Sequence, residues 1–153
     1  MISIIAVGKL KEKAYKDLVD EYVKRLSAYD KVEITEVADE TNQLEENKVK
    51  KLEGERIIKA IKKDSFVVLL DLRGRMLNSK ELAMKLDEIH TYHSSNITFI
   101  IGGSLGVSDD VYYCADYKWK LSDLTFPHNL VRILLLEQIY RSYRILNNEP
   151  YHK

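Results

Sequence analysis

The chain has 153 residues and balances 24 Lys and Arg against 24 Asp and Glu, so its formal net charge is zero. Hydrophobic residues make up 45% and charged residues 31%, which excludes disorder and suits one domain spanning 1–153. Zero net charge also excludes a strongly basic nucleic-acid module, and the single cysteine, Cys114, excludes an internal disulfide or a thiolate metal cluster.

In chain order, Ile2 to Val7 is a β-branched run closed by Gly8 and reads as a buried strand. Tyr15, Leu18, Val19, Tyr22 and Leu26 recur at helical spacing. Val32 to Val37 alternates apolar and polar residues, the pattern of a half-exposed strand near a sheet edge. A polar stretch from Asp39 to Asn47 leads into a charged helix through Leu52, Ile57, Ile58 and Ile61, interrupted by Gly54. Phe66 to Leu72 is the most apolar strand, with both faces expected to be covered, and the loop RGRML follows it. Asn78 with Glu81 three residues on forms a capping box for a helix whose inner face is Leu82, Leu86 and Ile89. Ile97 to Ile101 is a further strand, halted by Gly102 and Gly103. A short helix near Ser108 to Tyr113, a strand at Tyr117 to Leu121 and a last helix from Pro127 to about Leu146 complete the chain. The alternation predicts an α/β fold, a mostly parallel sheet with helices on both faces.

In such a sheet, ligands bind beyond the carboxyl ends of the strands. Three loops there carry suitable residues: LLDLRGR, IGGSLG and LSDLTFPH. The glycines of Ile101 to Ser108 fit either a tight strand-to-helix turn or a backbone cradle for a ligand. They match neither GxGxxG nor a phosphate loop. The last helix is apolar around its circumference, so one sheet face cannot cover it and a second subunit is expected against it. Arg132 lies in one of its apolar stripes and either caps a carbonyl, snorkels outward or binds a ligand.

His90 and His93 close a helix, where a cation complements its dipole. His128 stands at a helix start, where a cation is disfavoured, and reads as neutral and within reach of a ligand. No histidines have metal spacing, and no metal is expected. Cys114 reads as core. Lys9, Lys11, Lys13 and Lys16, with Arg73, Arg75, Arg141 and Arg144, are either solvated surface or a patch tracking an RNA backbone. The start MISIIAVGKLKEK has its charges after the apolar run, unlike a secretory leader, and no apolar run reaches the ~20 residues of a membrane span. A cytoplasmic protein is expected.

AVGKLKE, LLDLRG, FIIGGSLG, LSDLTFPHNLVR, LLLEQIYRSYRI and the terminal EPYHK together, in order and along the whole chain, resemble the ribosomal RNA large subunit methyltransferase H family of the SPOUT superfamily. The resemblance implies a trefoil knot in the carboxyl-terminal half and a homodimer. It also implies methylation of N3 of a pseudouridine in 23S ribosomal RNA, from S-adenosylmethionine, on the assembled ribosome. Carried over by motif, the cofactor site is Leu70, Gly102, Leu121, Ser122, Asp123, Leu124, Thr125 and Phe126. The catalytic candidates are His152 as base, Arg132 stabilising negative charge, and Tyr151, with the tail ordered against a cofactor pocket. A nucleotide-binding scaffold without catalysis, and a ribosome-associated binding factor, are the competing readings.

Overall fold

The computed structural model describes residues 1–40 and 44–153, so part of the polar stretch from 39 to 47 lies outside the described residues. Strands and helices alternate as β1 (Ile2–Val7), α1 (Lys13–Leu26), β2 (Val32–Val37), α2 (Glu46–Ala60), β3 (Phe66–Met76), α3 (Ser79–Tyr92), β4 (Ile97–Ile101), α4 (Asp109–Cys114), β5 (Tyr117–Lys120) and α5 (His128–Leu146). The strands form one sheet in the order β2-β1-β4-β3-β5, and every pairing is parallel. Helical crossovers permit this arrangement where short hairpins would not.

Strand periodicity divides the apolar residues between two cores. Ile4, Ala6, Val68, Phe99 and Ile101 pack with residues of α1, α3 and α5 on one face. Ile5, Val7, Val67, Leu69 and Ile100 pack with Ile57 of α2 and Val111 of α4 on the other. Covered on both sides, the inner strands are unbroken apolar runs, whereas β2 stands at an edge and is buried only at Val37.

Local signals act as the sequence predicts in several places. The capping box forms: Glu81 N donates to Asn78 Oδ1 at 2.8 Å, and Asn78 N donates to Glu81 Oε1 at 3.0 Å. Helix α2 continues through Gly54 because a Cβ there would lie 2.4 Å from Ser108 Oγ, the cap of α4. The missing side chain lets two helices touch, which offsets the lost propensity.

Four details differ. Strand β3 runs to Met76 rather than stopping at Leu72, with a register shift against β5 between Leu70 and Arg75. Asp71 to Gly74 therefore bulge from the ladder, and Gly74 lies so close to β5 that a Cβ would meet the Lys118 carbonyl at 2.6 Å. Pro127 is the residue before α5 rather than its first: its ψ of 143° is extended, and its carbonyl accepts from Leu130 N and Val131 N. His90 is half-buried with Nε2 3.2 Å from Tyr143 Oη, and burial pulls its pKa below the ordinary value despite Asp30, against a role as a dipole-complementing cation. Cys114 is an exposed residue rather than core, but its thiol is partly covered against the Val111 carbonyl, and that desolvation together with Asp116 raises its pKa, which makes it a poor nucleophile.

The chain itself covers part of α5. The helix packs against the sheet and between α1 and α3, and Tyr151 of the tail folds back onto it, so no residue from Asn129 to Leu146 is exposed. The chain itself supplies much of the cover that the sequence assigned to a second subunit. Among the described residues, no helix is long and apolar enough to cross a membrane.

Candidate cofactor cleft

Because all strands are parallel, their carboxyl ends share one edge of the sheet, and the β3 bulge, the loop after β4 and the loop after β5 converge there. Between them lies a cavity of about 240 Å3. Seven of the eight residues expected to hold a cofactor border it: Leu70, Gly102, Leu121, Ser122, Leu124, Thr125 and Phe126. Asp123 does not border it, and its carboxylate is engaged by Lys120. The first turn of α5 adds His128 and Val131, and the β3 bulge adds Asp71 and Leu72. Val131 carried a legible signal, one helical turn beyond His128 on the same face. The bulge residues lie in LLDLRGR, one of the three segments the sequence marks for a ligand, but they read there as the end of a regular strand.

A second cavity of about 440 Å3 shares Leu70, Asp71, Leu72, Gly102 and His128 with the first, so the two are lobes of one cleft. Its remaining wall includes Lys50 of α2 and Arg73. Arg73 is fixed on two sides. Its Nε and Nη2 donate to Asp71 Oδ1 and Oδ2 at 2.8 and 2.9 Å, and its guanidinium carbon lies 3.9 Å from the centre of the Tyr112 ring. Burial pushes the Asp71 carboxyl up, but the hydrogen bonds and positive charge of Arg73, with Lys118, outweigh it and hold the group below its ordinary value. The cleft therefore carries an ionised carboxylate beside apolar walls.

Those walls fit a flat heteroaromatic ring. Leu70, Leu121, Leu124, Phe126 and Val131 supply faces, while Ser122 to Phe126 lie outside any helix or strand and offer main-chain donors and acceptors that no ladder uses. Leu124 and Leu72 are 68% and 71% exposed, leaving an apolar rim around the opening.

The three expected catalytic residues lie elsewhere. Arg132 is 3% exposed and points to the opposite side of α5, where Nη1 reaches Glu36 Oε2 at 2.5 Å and Nη2 donates to the Gly8 carbonyl at 2.8 Å. It borders neither lobe. Tyr151 Oη donates to Glu137 Oε1 at 3.2 Å and its ring meets Tyr140 edge-on at 5.0 Å, while His152 Nδ1 lies 3.2 Å from Arg141 Nη1. The tail, expected against a cofactor pocket, lies along the second half of α5 rather than in the cleft of its own chain. Arg141 and Arg144, read from the sequence as solvated surface or part of an RNA-tracking patch, hold this tail: both stand over the Tyr151 ring, and Arg144 pairs with Glu149 at 3.1 Å.

Comparison with known proteins places the chain among methyltransferases. A family model described as "Predicted SPOUT methyltransferase" matches residues 1–152. The chain is 54% identical to the ribosomal RNA large subunit methyltransferase H of Alkaliphilus oremlandii and 51% identical to that of Acetivibrio thermocellus, with 99% of both partners covered in each case. Among solved structures, a "probable methylase family protein" of Haemophilus influenzae matches with a TM-score of 0.56 at 14% identity, over 99% of this chain and 70% of that one. A Legionella pneumophila protein solved with the bound cofactor SAM matches with a TM-score of 0.53 at 11% identity, over 93% and 66%. The two likenesses at such low identity concern the fold.

Proposed function

The chain belongs to the SPOUT methyltransferase family, beside the ribosomal RNA large subunit methyltransferase H proteins, and from that premise we propose that it methylates N3 of a pseudouridine in 23S ribosomal RNA, using S-adenosylmethionine, on the assembled ribosome. The observation that carries this reading is the two-lobed cleft, in which seven motif residues from three separate loops meet around one apolar cavity.

When bound, S-adenosylmethionine supplies the activated methyl group. The chain's part is to bind, orient and exclude water. Leu121, Leu124 and Phe126 would hold the adenine faces, and main-chain groups of the 121–126 loop would pair with its edges. His128 stands on the wall shared by both lobes, between the cofactor lobe and the lobe left for the target base. Lys50 and Arg73 line that second lobe together with Asp71 and Asp109, so its charges balance and it offers donors and acceptors to a base rather than a positive surface to a phosphate.

The target nitrogen carries a proton that must leave for it to act as nucleophile. His152 is the base in this reading, with Tyr151 beside it. Since neither borders the cleft of its own chain, the tail serves the cleft of a second copy in a homodimer. The apolar rim of Leu72 and Leu124 supports such a partner. Arg132 is not retained as a catalytic group, because Glu36 and Gly8 occupy its guanidinium. A knotted carboxyl-terminal half and a cytoplasmic location, where ribosomes are found, belong to the same reading.

The test is transfer of labelled methyl from S-adenosylmethionine to ribosomes lacking the modification, with mass mapping of the RNA. Label on a pseudouridine of the large-subunit RNA is the expected result. Label on another nucleotide, or only on free RNA, overturns the proposed target. Full turnover by His152→Ala overturns the assignment of the base.

A further inference from the structure

We propose that Glu36 and Arg132 are positioning residues, which set the first turn of α5 and through it the affinity of the cleft for its cofactor. The inference rests on reading the cleft as the S-adenosylmethionine site.

The first turn of α5 supplies His128 and Val131 to the cleft wall, and Arg132 is the next residue. That turn lacks the usual restraint. No side chain caps its amides, and the segment leading into it, 121–127, has no regular structure. What fixes it instead is the Arg132 side chain, which leaves the helix on the side away from the cleft and ends in a three-way junction. Nη2 donates to the carbonyl of Gly8, just past the end of β1, at 2.8 Å. Nη1 reaches Glu36 Oε2, one residue before the end of β2, at 2.5 Å. The same Glu36 oxygen accepts from Leu10 N in the β1–α1 loop at 2.6 Å. One guanidinium and one carboxylate thus tie the helix start to the ends of two strands and to the loop between β1 and α1.

A junction of this kind suits positioning. A planar guanidinium holding two acceptors fixes direction as well as distance, which an apolar contact does not. Arg132 is 3% exposed whereas Glu36 is an exposed residue, so the cost of opening the pair falls on the guanidinium, which would be left buried and alone. Its Nε has no partner among the described residues, so the side chain is held by its two terminal nitrogens. Glu36 borders neither lobe of the cleft, and of its two partners, Leu10 N and Arg132, only Arg132 stands beside the cleft wall in α5.

The test compares Glu36→Gln, Arg132→Lys and the double variant with the wild type, at a temperature where circular dichroism shows each one folded. Calorimetric titration with S-adenosylmethionine is the first readout. Affinity is expected to fall about tenfold or more in each single variant, the scale of effect of shifting a positioned group by an ångström. The double variant is expected to be no worse than the weaker single one, since both break the same junction. Steady-state kinetics on ribosomes is the second readout: KM for the cofactor rises while KM for ribosomes stays within about twofold, a split that general loosening of the fold would not produce.

Wild-type affinity in the folded single variants overturns the proposal, as does lower thermal stability with unchanged affinity. Arg132→Lys keeps a cation beside Glu36, so it carries the test if Glu36→Gln does not fold. A wild-type protein that binds no S-adenosylmethionine condemns the cofactor reading itself, a separate outcome.

Discussion

The two ends of α5 solve opposite problems with the same helix. Its first turn faces an open cleft, begins without a side-chain cap and follows irregular chain with an exposed Leu124. Its last turns are tied on every side. Tyr143 Oη donates to Asp30 at 2.9 Å, Tyr29 Oη donates to Glu149 at 2.8 Å, and Arg144 Nη1 donates to Tyr140 Oη at 2.7 Å. Burial beside Asp30 also pushes the Tyr143 hydroxyl pKa far above its ordinary value, so that end stays protonated and donating. The contrast teaches that a ligand-binding end needs free amides and reachable apolar faces, and that the rigidity it gives up must come from elsewhere: the bonded far end and the buried Arg132 junction.

The largest expected effect lies in the middle of the helix, where Leu136 is fully buried. Leu136→Ala should destabilise the fold by about 2–5 kcal/mol in urea denaturation. Leu124→Ala, at the open end, should change stability by no more than about 0.5 kcal/mol. Equal losses at the two positions would end the distinction between them.

Phe126→Ala comes next. Removing the ring should weaken S-adenosylmethionine binding by about 1.5–3 kcal/mol by calorimetry, with little change in the thermal midpoint. An unchanged dissociation constant would move the adenine out of this lobe.

Deletion of Tyr151 to Lys153 removes the Tyr140–Tyr151 contact and should lower stability by about 0.5–1.5 kcal/mol. Methyl transfer to ribosomes should be lost in the same variant. If turnover persists at full rate, the tail is only a strap on α5.

The smallest effect concerns acid. Burial raises the Glu36 carboxyl, but Arg132 and the Leu10 amide outweigh it and hold its pKa below the ordinary 4.5. A depressed carboxylate contributes stability that is fully present above its unfolded pKa and is lost as pH falls through the folded one. The contribution of Glu36 to stability in urea unfolding should therefore be constant above about pH 5 and decline below about pH 4. Glu36→Gln should flatten that decline, and an identical slope would show that the pair contributes nothing to it.

Much of the fold was legible because its signals are local. The apolar runs 2–7 and 97–101, the edge alternation at 32–37 and the Asn78–Glu81 cap each depend on neighbours within a few residues. Most of the cleft was legible too, since seven motif residues do meet there. Less so was the bulge that carries Asp71 and Leu72, since β3 resumes pairing with β5 beyond it, at Arg75 and Met76. Arg132 shows the limit most clearly. Its place in an apolar stripe revealed that its charge needed a partner, but the choice between ligand, carbonyl and carboxylate depended on Gly8 and Glu36, 124 and 96 residues away in sequence.

By itself the sequence determined the order of strands and helices, the parallel sheet and the loops that could hold a ligand, because periodicity and capping are written within a turn or a strand length. Tertiary structure alone decided that Arg132 locks a helix rather than facing a substrate, that the tail lies along α5, and that two lobes share the wall at His128. Those outcomes depend on which distant atoms arrive within about 3 Å of one another, the reach of a hydrogen bond, and no local pattern encodes that distance.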